Sequence, residues 1–222
     1  MYRWAKCPAS PYHLVDFPVP PKSYTQEGTK AHDLGEAMLL GNSYDESQYD
    51  EATISNVKMY AQYVKSLQAK LKGELHVELK VEVSSVSPLL YGRADAIIVS
   101  DKRLDVIDYK NGKSTVYAKE NKQFSYYALG AIDTLELRGL DKIVLHCVQP
   151  NIKRKNKFDV WDTDSEYINS FRQELSEALS YAKANRKEYN IGQWCFFCNT
   201  AECPAHVEKL TEDMTDIQQL SF

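Results

Sequence analysis

The sequence predicts one α/β domain ordered as helix, three strands, helix, strand. Three observations carry this reading. Glu51–Lys72 places Val57, Tyr60, Ala61, Val64, Leu67 and Leu71 at helical spacing. Leu75–Val83, Leu89–Val99 and Leu104–Lys110 follow as consecutive strand-like runs. Lys119–Leu135 then reads as helix, and the nearly all-apolar Lys142–Val148 as a buried strand. A chain of 222 residues is long enough to bury one such core.

The elements fall in order along the chain. Residues 1–24 read as extended and proline-rich, with a short helix over Ser10–Val15. Residues 26–41 read as helix through Ala31, Leu34, Ala37, Met38 and Leu39, and Asn42–Asp50 as a polar loop. Gly73 is placed to end the long helix. Leu75–Val83 alternates, with His76, Glu78, Lys80 and Glu82 on its polar face. Ser100-Asp101-Lys102-Arg103 suits a hairpin turn. Phe158–Trp161 reads as an edge strand, and Asp164–Asn185 as a helix capped by Asp164 or Ser165.

Composition narrows the class. No stretch approaches the ~18–20 apolar residues that span a bilayer. The first twenty residues carry charges and several prolines, unlike a signal peptide, so a cytoplasmic protein of a bacterial or phage-infected cell is expected. The formal net charge is −4, which argues against a passive nucleic-acid coat. Positive charge is nevertheless local: Lys102, Arg103, Lys110, Lys113, Lys119 and Lys122 form one stretch, and Lys153, Arg154, Lys155 and Lys157 another. The second cluster can hold phosphate only if it lies on the side of the site.

Chemistry concentrates between Gly92 and Tyr127. On the run Leu104–Lys110, alternation puts Asp108 and Lys110 on one face, ~7 Å apart, and Asp105, Ile107 and Tyr109 on the other. A hairpin brings Asp95 of the preceding strand near Asp108. Two carboxylates so placed repel unless a cation or proton lies between them. Mg²⁺ or Mn²⁺ takes oxygen ligands and keeps waters, one of which can act as nucleophile. A lysine two residues on can orient that water and offset charge on a phosphate. Gln123 and Tyr127, at i and i+4, project together from the next helix.

Gly92-x-x-Asp95, Asp108-Tyr109-Lys110 and Gln123-x-x-x-Tyr127 together resemble the PD-(D/E)XK nuclease superfamily, in its RecB-like branch. Glu27-Gly28-Thr29-Lys30-Ala31-His32 is similar to that branch's opening Gly-Thr-x-x-His helix. Cys7 with Cys195, Cys198 and Cys203 is similar to its iron–sulfur subset, which includes AddB-type nuclease domains, CRISPR-associated RecB-like exonucleases and related phage proteins. The resemblance spans Cys7 to Cys203, in the family's order. It implies a restriction-endonuclease-like α-β-β-β-α-β core with flanking helices, its termini joined by a cysteine-ligated cluster. It implies one domain over 1–222, with cluster-bearing segments at 1–24 and 190–210 and a tail at 211–222.

By the same resemblance His32, Asp95, Asp108 and the backbone carbonyl of Tyr109 are expected to hold Mg²⁺ or Mn²⁺. Lys110 is expected to poise the water, and Gln123 and Tyr127 to position the strand. Glu36 reads as structural, and a role for Glu78 has no support from the pattern. Cys147 sits in an apolar run and reads as core. The other four cysteines suit a [4Fe–4S] cluster or Zn²⁺; spacing alone does not choose, and the resemblance favours iron–sulfur. Four residues separate Cys198 from Cys203 where the family usually has five, which leaves His206 as a substitute ligand to consider.

The activity implied is a metal-dependent DNA nuclease, single-strand-preferring and exonucleolytic, working in recombination or replication. The alternative is a non-cutting DNA- or protein-binding module on the same fold; a zinc-stapled structural subunit would not need His32. The closing Gln219-Leu220-Ser221-Phe222 resembles short peptides that dock in the bacterial sliding clamp, though one leucine is missing.

Overall fold

The structure is a computed structural model and describes residues 5–10, 12, 23–198 and 203–205. His206, the tail from residue 211 with its clamp-like Gln219–Phe222, and most of the expected Ser10–Val15 helix lie outside the described residues. The chain divides into two compact units, one of residues 22–173 and one of residues 1–21 with 174–222.

The larger unit holds α1 (Ser23–Leu40), α2 (Glu51–Leu71), β1 (Glu74–Glu82), β2 (Tyr91–Ser100), β3 (Arg103–Tyr109), α3 (Lys122–Thr134), β4 (Lys142–Val148), β5 (Phe158–Thr163) and the first half of α4 (Ser165–Ala184). The five strands form one sheet in the order β1-β2-β3-β4-β5. β1, β2 and β3 are an antiparallel meander, β4 pairs parallel with β3, and β5 returns antiparallel. The expected α/β class therefore holds, with five strands and helices packed on the sheet. A parallel neighbour requires a crossover, which α3 supplies.

β3 is buried along almost its whole length, as a central strand covered on both faces must be. Ala31 and Leu34 of α1 and Val57, Tyr60, Ala61 and Val64 of α2 pack with Ala96, Ile98, Ile107, Tyr109 and Val148. The alternate residues Ile97, Val106, Leu145 and Cys147 are buried on the side of α3, which contributes Phe124, Ala128 and Leu129.

Local chemistry sets the boundaries. Asp50 caps α2 through Thr53 N–H at 2.6 Å. The helix stops at Lys72, which takes the left-handed conformation at φ 53°, and not at Gly73 as its sequence suggests. Gly73 is needed for another reason: a Cβ there would lie 2.6 Å from the Ile98 side chain and 2.8 Å from the Val99 carbonyl. α3 begins at Lys122, later than expected, because the Asn121 side chain accepts from Gln123 N–H and Phe124 N–H and caps it there. Asp164 rather than Ser165 caps α4, through Tyr167 N–H at 2.9 Å.

β1 departs from clean alternation. Leu75 and Val77 pack beneath α1 and α2, whereas Val81 and Val83 lie against Gly130 of α3. The switch falls at Glu78, whose φ is +50°. The pairing passes from Val77↔Ala96 to Leu79↔Ala94, leaving Glu78 and Asp95 unpaired between them.

The smaller unit contains the second half of α4 and a short 3-10 turn at Gln193–Phe197. Ala9 N–H donates to Glu188 O at 3.0 Å, so N- and C-terminal segments of the chain meet within it.

Candidate active site

The distortion in the sheet is where the acids gather. The β2–β3 ladder closes at Ala96↔Ile107. One step on, Tyr109 N–H donates to the Asp95 side chain at 2.7 Å instead of to a backbone carbonyl. Asp95 is thereby held at the opening between two strands. The unfavourable φ of Glu78 brings a third carboxylate to the same place, a backbone cost of the kind stored at functional sites. His32 of α1 completes the group: its Nδ1 lies 3.2 Å from Asp95 Oδ1 and 4.0 Å from Glu78 Oε1. One ligand atom from each of His32, Glu78 and Asp95 lies within 4.8 Å of the others, a spacing that a metal ion can bridge.

Asp108 stands beside this group. Its buried Oδ2 is 2.7 Å from Lys110 Nζ, the distance of a charge-assisted pair. Burial, and then the charge of Asp95, push the Asp108 carboxyl up to about 7 against the pull of Lys110 and His32. Glu78 is likewise pushed up to about 7, by burial and then Asp95, although Arg93 Nε lies 2.8 Å away. For His32, burial opposes the charged form, but Asp95, Asp108 and Glu78 outweigh it and raise its pKa. Three acids thus crowd together, each with one cationic side chain beside it: Arg93 at Glu78, His32 at Asp95 and Lys110 at Asp108.

Lys110 is held from a second side, donating to Gln123 Oε1 at 2.8 Å. Gln123 Nε2 in turn donates to Tyr127 OH at 2.8 Å. Tyr126 instead donates to the Tyr91 carbonyl, so the two adjacent tyrosines have separate partners. Gly92 lets both rings approach, since a Cβ there would lie 3.2 Å from each. Burial pushes the Tyr127 phenol up to about 12.

Of the residues singled out by sequence, the structure brings His32 and Asp95 into one group and joins Asp108, Lys110, Gln123 and Tyr127 in an adjoining chain of contacts. The tight three-residue group contains Glu78 rather than Asp108. Glu78 had no sequence signal beyond being an acid on an alternating strand. Glu36 reaches the group only through Arg93, at 3.7 Å. A Cβ on Gly28 would meet nothing within 4 Å, so packing inside the protein does not require that glycine. Cys147 is buried opposite Asp108 in the β3–β4 register, as core.

The basic loop after β4 is hydrogen-bonded to the segment that begins at Lys110. Lys110 N–H donates to Val148 O at 2.9 Å. Asn151 Nδ2 donates to Asn111 O at 2.9 Å and to Asn111 Oδ1 at 2.8 Å. The segment carrying Lys153, Arg154, Lys155 and Lys157 is therefore tied to the loop that follows Lys110.

In the smaller unit Cys7, Cys195, Cys198 and Cys203 are free thiols. Burial raises the Cys7 pKa, and the neighbouring Cys203 and Cys195 add to the rise, which places three of the thiols within electrostatic reach of one another. Among the described residues no helix is long and apolar enough to cross a membrane.

Comparison with solved structures finds the crystal structure of SSO0001 at a TM-score of 0.36, with 16% identity, covering 79% of this chain and 85% of that one. The crystal structure of LHK-Exo in complex with dAMP is similar at a TM-score of 0.34 and 11% identity, covering 83% of this chain and 91% of that one. At these scores neither bears on the chemistry of the site. The model of the family described as "Protein of unknown function (DUF2800)" matches residues 1–221, and the chain belongs to that family.

Proposed function

We propose that this protein is a metal-dependent deoxyribonuclease of the PD-(D/E)XK, RecB-like type, preferring single strands, cutting from an end and serving recombination or replication. The observation that carries the reading is the gathering of His32, Glu78 and Asp95 at a spacing an ion can bridge, with buried Asp108 beside them. Buried acids arranged this way fit a hard divalent cation. His32, Glu78, Asp95 and Asp108, with the Tyr109 carbonyl, would hold Mg²⁺ or Mn²⁺. When bound, such an ion supplies an activated water and Lewis-acid stabilisation of the phosphate.

The chain's own residues do the positioning. Asp108 and Gln123 hold the Lys110 ammonium from two sides, so it points at the reacting water and phosphate without searching for a rotamer. Tyr127 fixes the Gln123 amide. Cys7, Cys195, Cys198 and Cys203 would hold a [4Fe–4S] cluster, with Zn²⁺ the alternative; the influence of Cys203 and Cys195 on Cys7 suits either. That group would staple the chain ends and take no part in cutting, and residues 1–222 would act as one nuclease domain. Gln219–Phe222 would offer a contact to a sliding clamp.

The test is a nuclease assay on anaerobically purified protein, with end-labelled single- and double-stranded DNA and Mn²⁺. Asp108→Ala should lower the rate by more than the roughly 10- to 100-fold typical of outer-shell changes at metal sites, and a chelator should abolish cutting. Folded protein that binds DNA but leaves it intact in Mn²⁺ would sink the reading in favour of a binding module.

A further inference from the structure

Tyr117 is 60% exposed, yet the backbone around it is held closely. Val116 N–H donates to Gln149 Oε1 at 3.0 Å, and Ala118 N–H to Asp159 Oδ2 at 2.6 Å. The Tyr117 carbonyl accepts from Asn121 Nδ2 at 3.0 Å. Gln149 is fully buried and also donates to Gly112 O at 3.0 Å and Ser114 O at 2.7 Å. This buried amide, hydrogen-bonded at both ends, holds the loop's shape. What that shape presents is an aromatic ring in solvent.

One face of the ring is occupied. The Arg154 guanidinium lies 5.5 Å from its centroid, within cation–π range. Arg154 is itself fixed, donating to Asn156 O at 2.8 Å and contacting Asp159 Oδ1 at 3.5 Å. The high exposure of the ring leaves the opposite face to solvent. On the two segments that carry Tyr117 and Arg154, Lys113, Lys119, Lys153 and Lys155 are all exposed. The Tyr117 loop follows directly from Lys110, and the Arg154 loop is tied to it through Asn151 and Asn111.

We infer that Tyr117, backed by Arg154, is a stacking platform for an unpaired base of a nucleic-acid strand on its way to the acid cluster. Lysines alone would suit any polyanion; a flat, held ring among them suits one whose charged backbone carries flat, exposed bases. Duplex DNA keeps its bases inside the stack and gains nothing from such a ring. The inference names a strand-holding residue for the nuclease proposed above and rests on that reading for why the strand is there.

The test is fluorescence anisotropy in EDTA, where cutting is blocked, with labelled oligothymidylate and an abasic strand of equal length. Tyr117→Ala should weaken oligothymidylate binding about tenfold or more and leave the abasic strand unchanged, while Tyr117→Phe should bind like wild type. Equal affinity of Tyr117→Ala and wild type for oligothymidylate overturns the inference. So does an equal loss on both strands, or no binding by wild type. A Mn²⁺ cleavage assay in parallel separates the two readings: a Tyr117 effect without any cleavage keeps the platform and removes the nuclease, and cleavage without a Tyr117 effect does the reverse.

Discussion

Asp105 and Asp108 sit three residues apart on the same buried strand, in opposite circumstances. Asp105 faces α2 and has a partner for each oxygen. Arg103 grips both, at 2.7 Å each, and His146 Nε2 lies 2.8 Å from Oδ1. The far side of that imidazole, Nδ1, is 2.7 Å from Tyr63 OH. The network assigns the tautomer: Nε2–H donates to Asp105 and Nδ1 accepts from Tyr63. Burial works against the Asp105 charge, but Arg103 and His146 outweigh it and hold the carboxyl below its ordinary value. Asp108, on the opposite face, is pushed the other way: burial and then Asp95 outweigh the Lys110 ammonium 2.7 Å away, and its carboxyl rises to about 7. The two show how the same side chain, equally buried, is held in its charged form in one place and pushed toward its neutral form in the other.

The largest break in this contrast should come from the Asp105 side. Asp105→Ala leaves the buried His146 Nε2–H without its acceptor and the partly exposed Arg103 without its partner, and should cost about 3 kcal/mol, read by urea denaturation. Metal should then sharpen it: Mn²⁺ at 100 times its dissociation constant should stabilise the wild type by about 2.7 kcal/mol, and Asp95→Ala should lose that gain. A smaller effect, of opposite sign to the first, is expected at Asp108. Asp108→Asn should leave metal-free protein at pH 8 more stable by about 1–3 kcal/mol.

The sign follows from proton linkage. A carboxyl raised to about 7 binds its proton more tightly folded than unfolded, where its value is about 3.9. Its ionisation therefore erodes stability as pH rises from about 4 to about 7, and the asparagine removes that slope. Asp105, held low, does the reverse: its contribution is present above about 4 and is lost as pH falls through its folded value. A flat pH profile for the difference between Asp108→Asn and wild type would contradict the assignment.

The sequence made the order of elements legible because each long element carries its own period, and β3 was assigned correctly to its two faces by alternation alone. The Asp–Lys pair and the Gln–Tyr pair were legible for the same reason, since fixed spacing on one strand or one helix turn is local information. Glu78 was not. Its presence at the site depends on a backbone angle that strand-like composition does not announce, and on which face β1 turns after that angle. The Asp105–His146–Tyr63 network was equally hidden, because its members come from three elements and nothing in their spacing ties them together.

The three carboxylates of the site all belong to the β1–β2–β3 meander, while Gln123 arrives with the crossover helix that precedes parallel β4. Short-range antiparallel pairing closes small loops and is quick; parallel pairing across a helix is slower. The acids thus need only the short loops of the meander to meet, whereas the brace on Lys110 needs the helix in place as well. A cation that quiets repulsion among those acids would steady the meander itself, apart from any part it has in the proposed cutting.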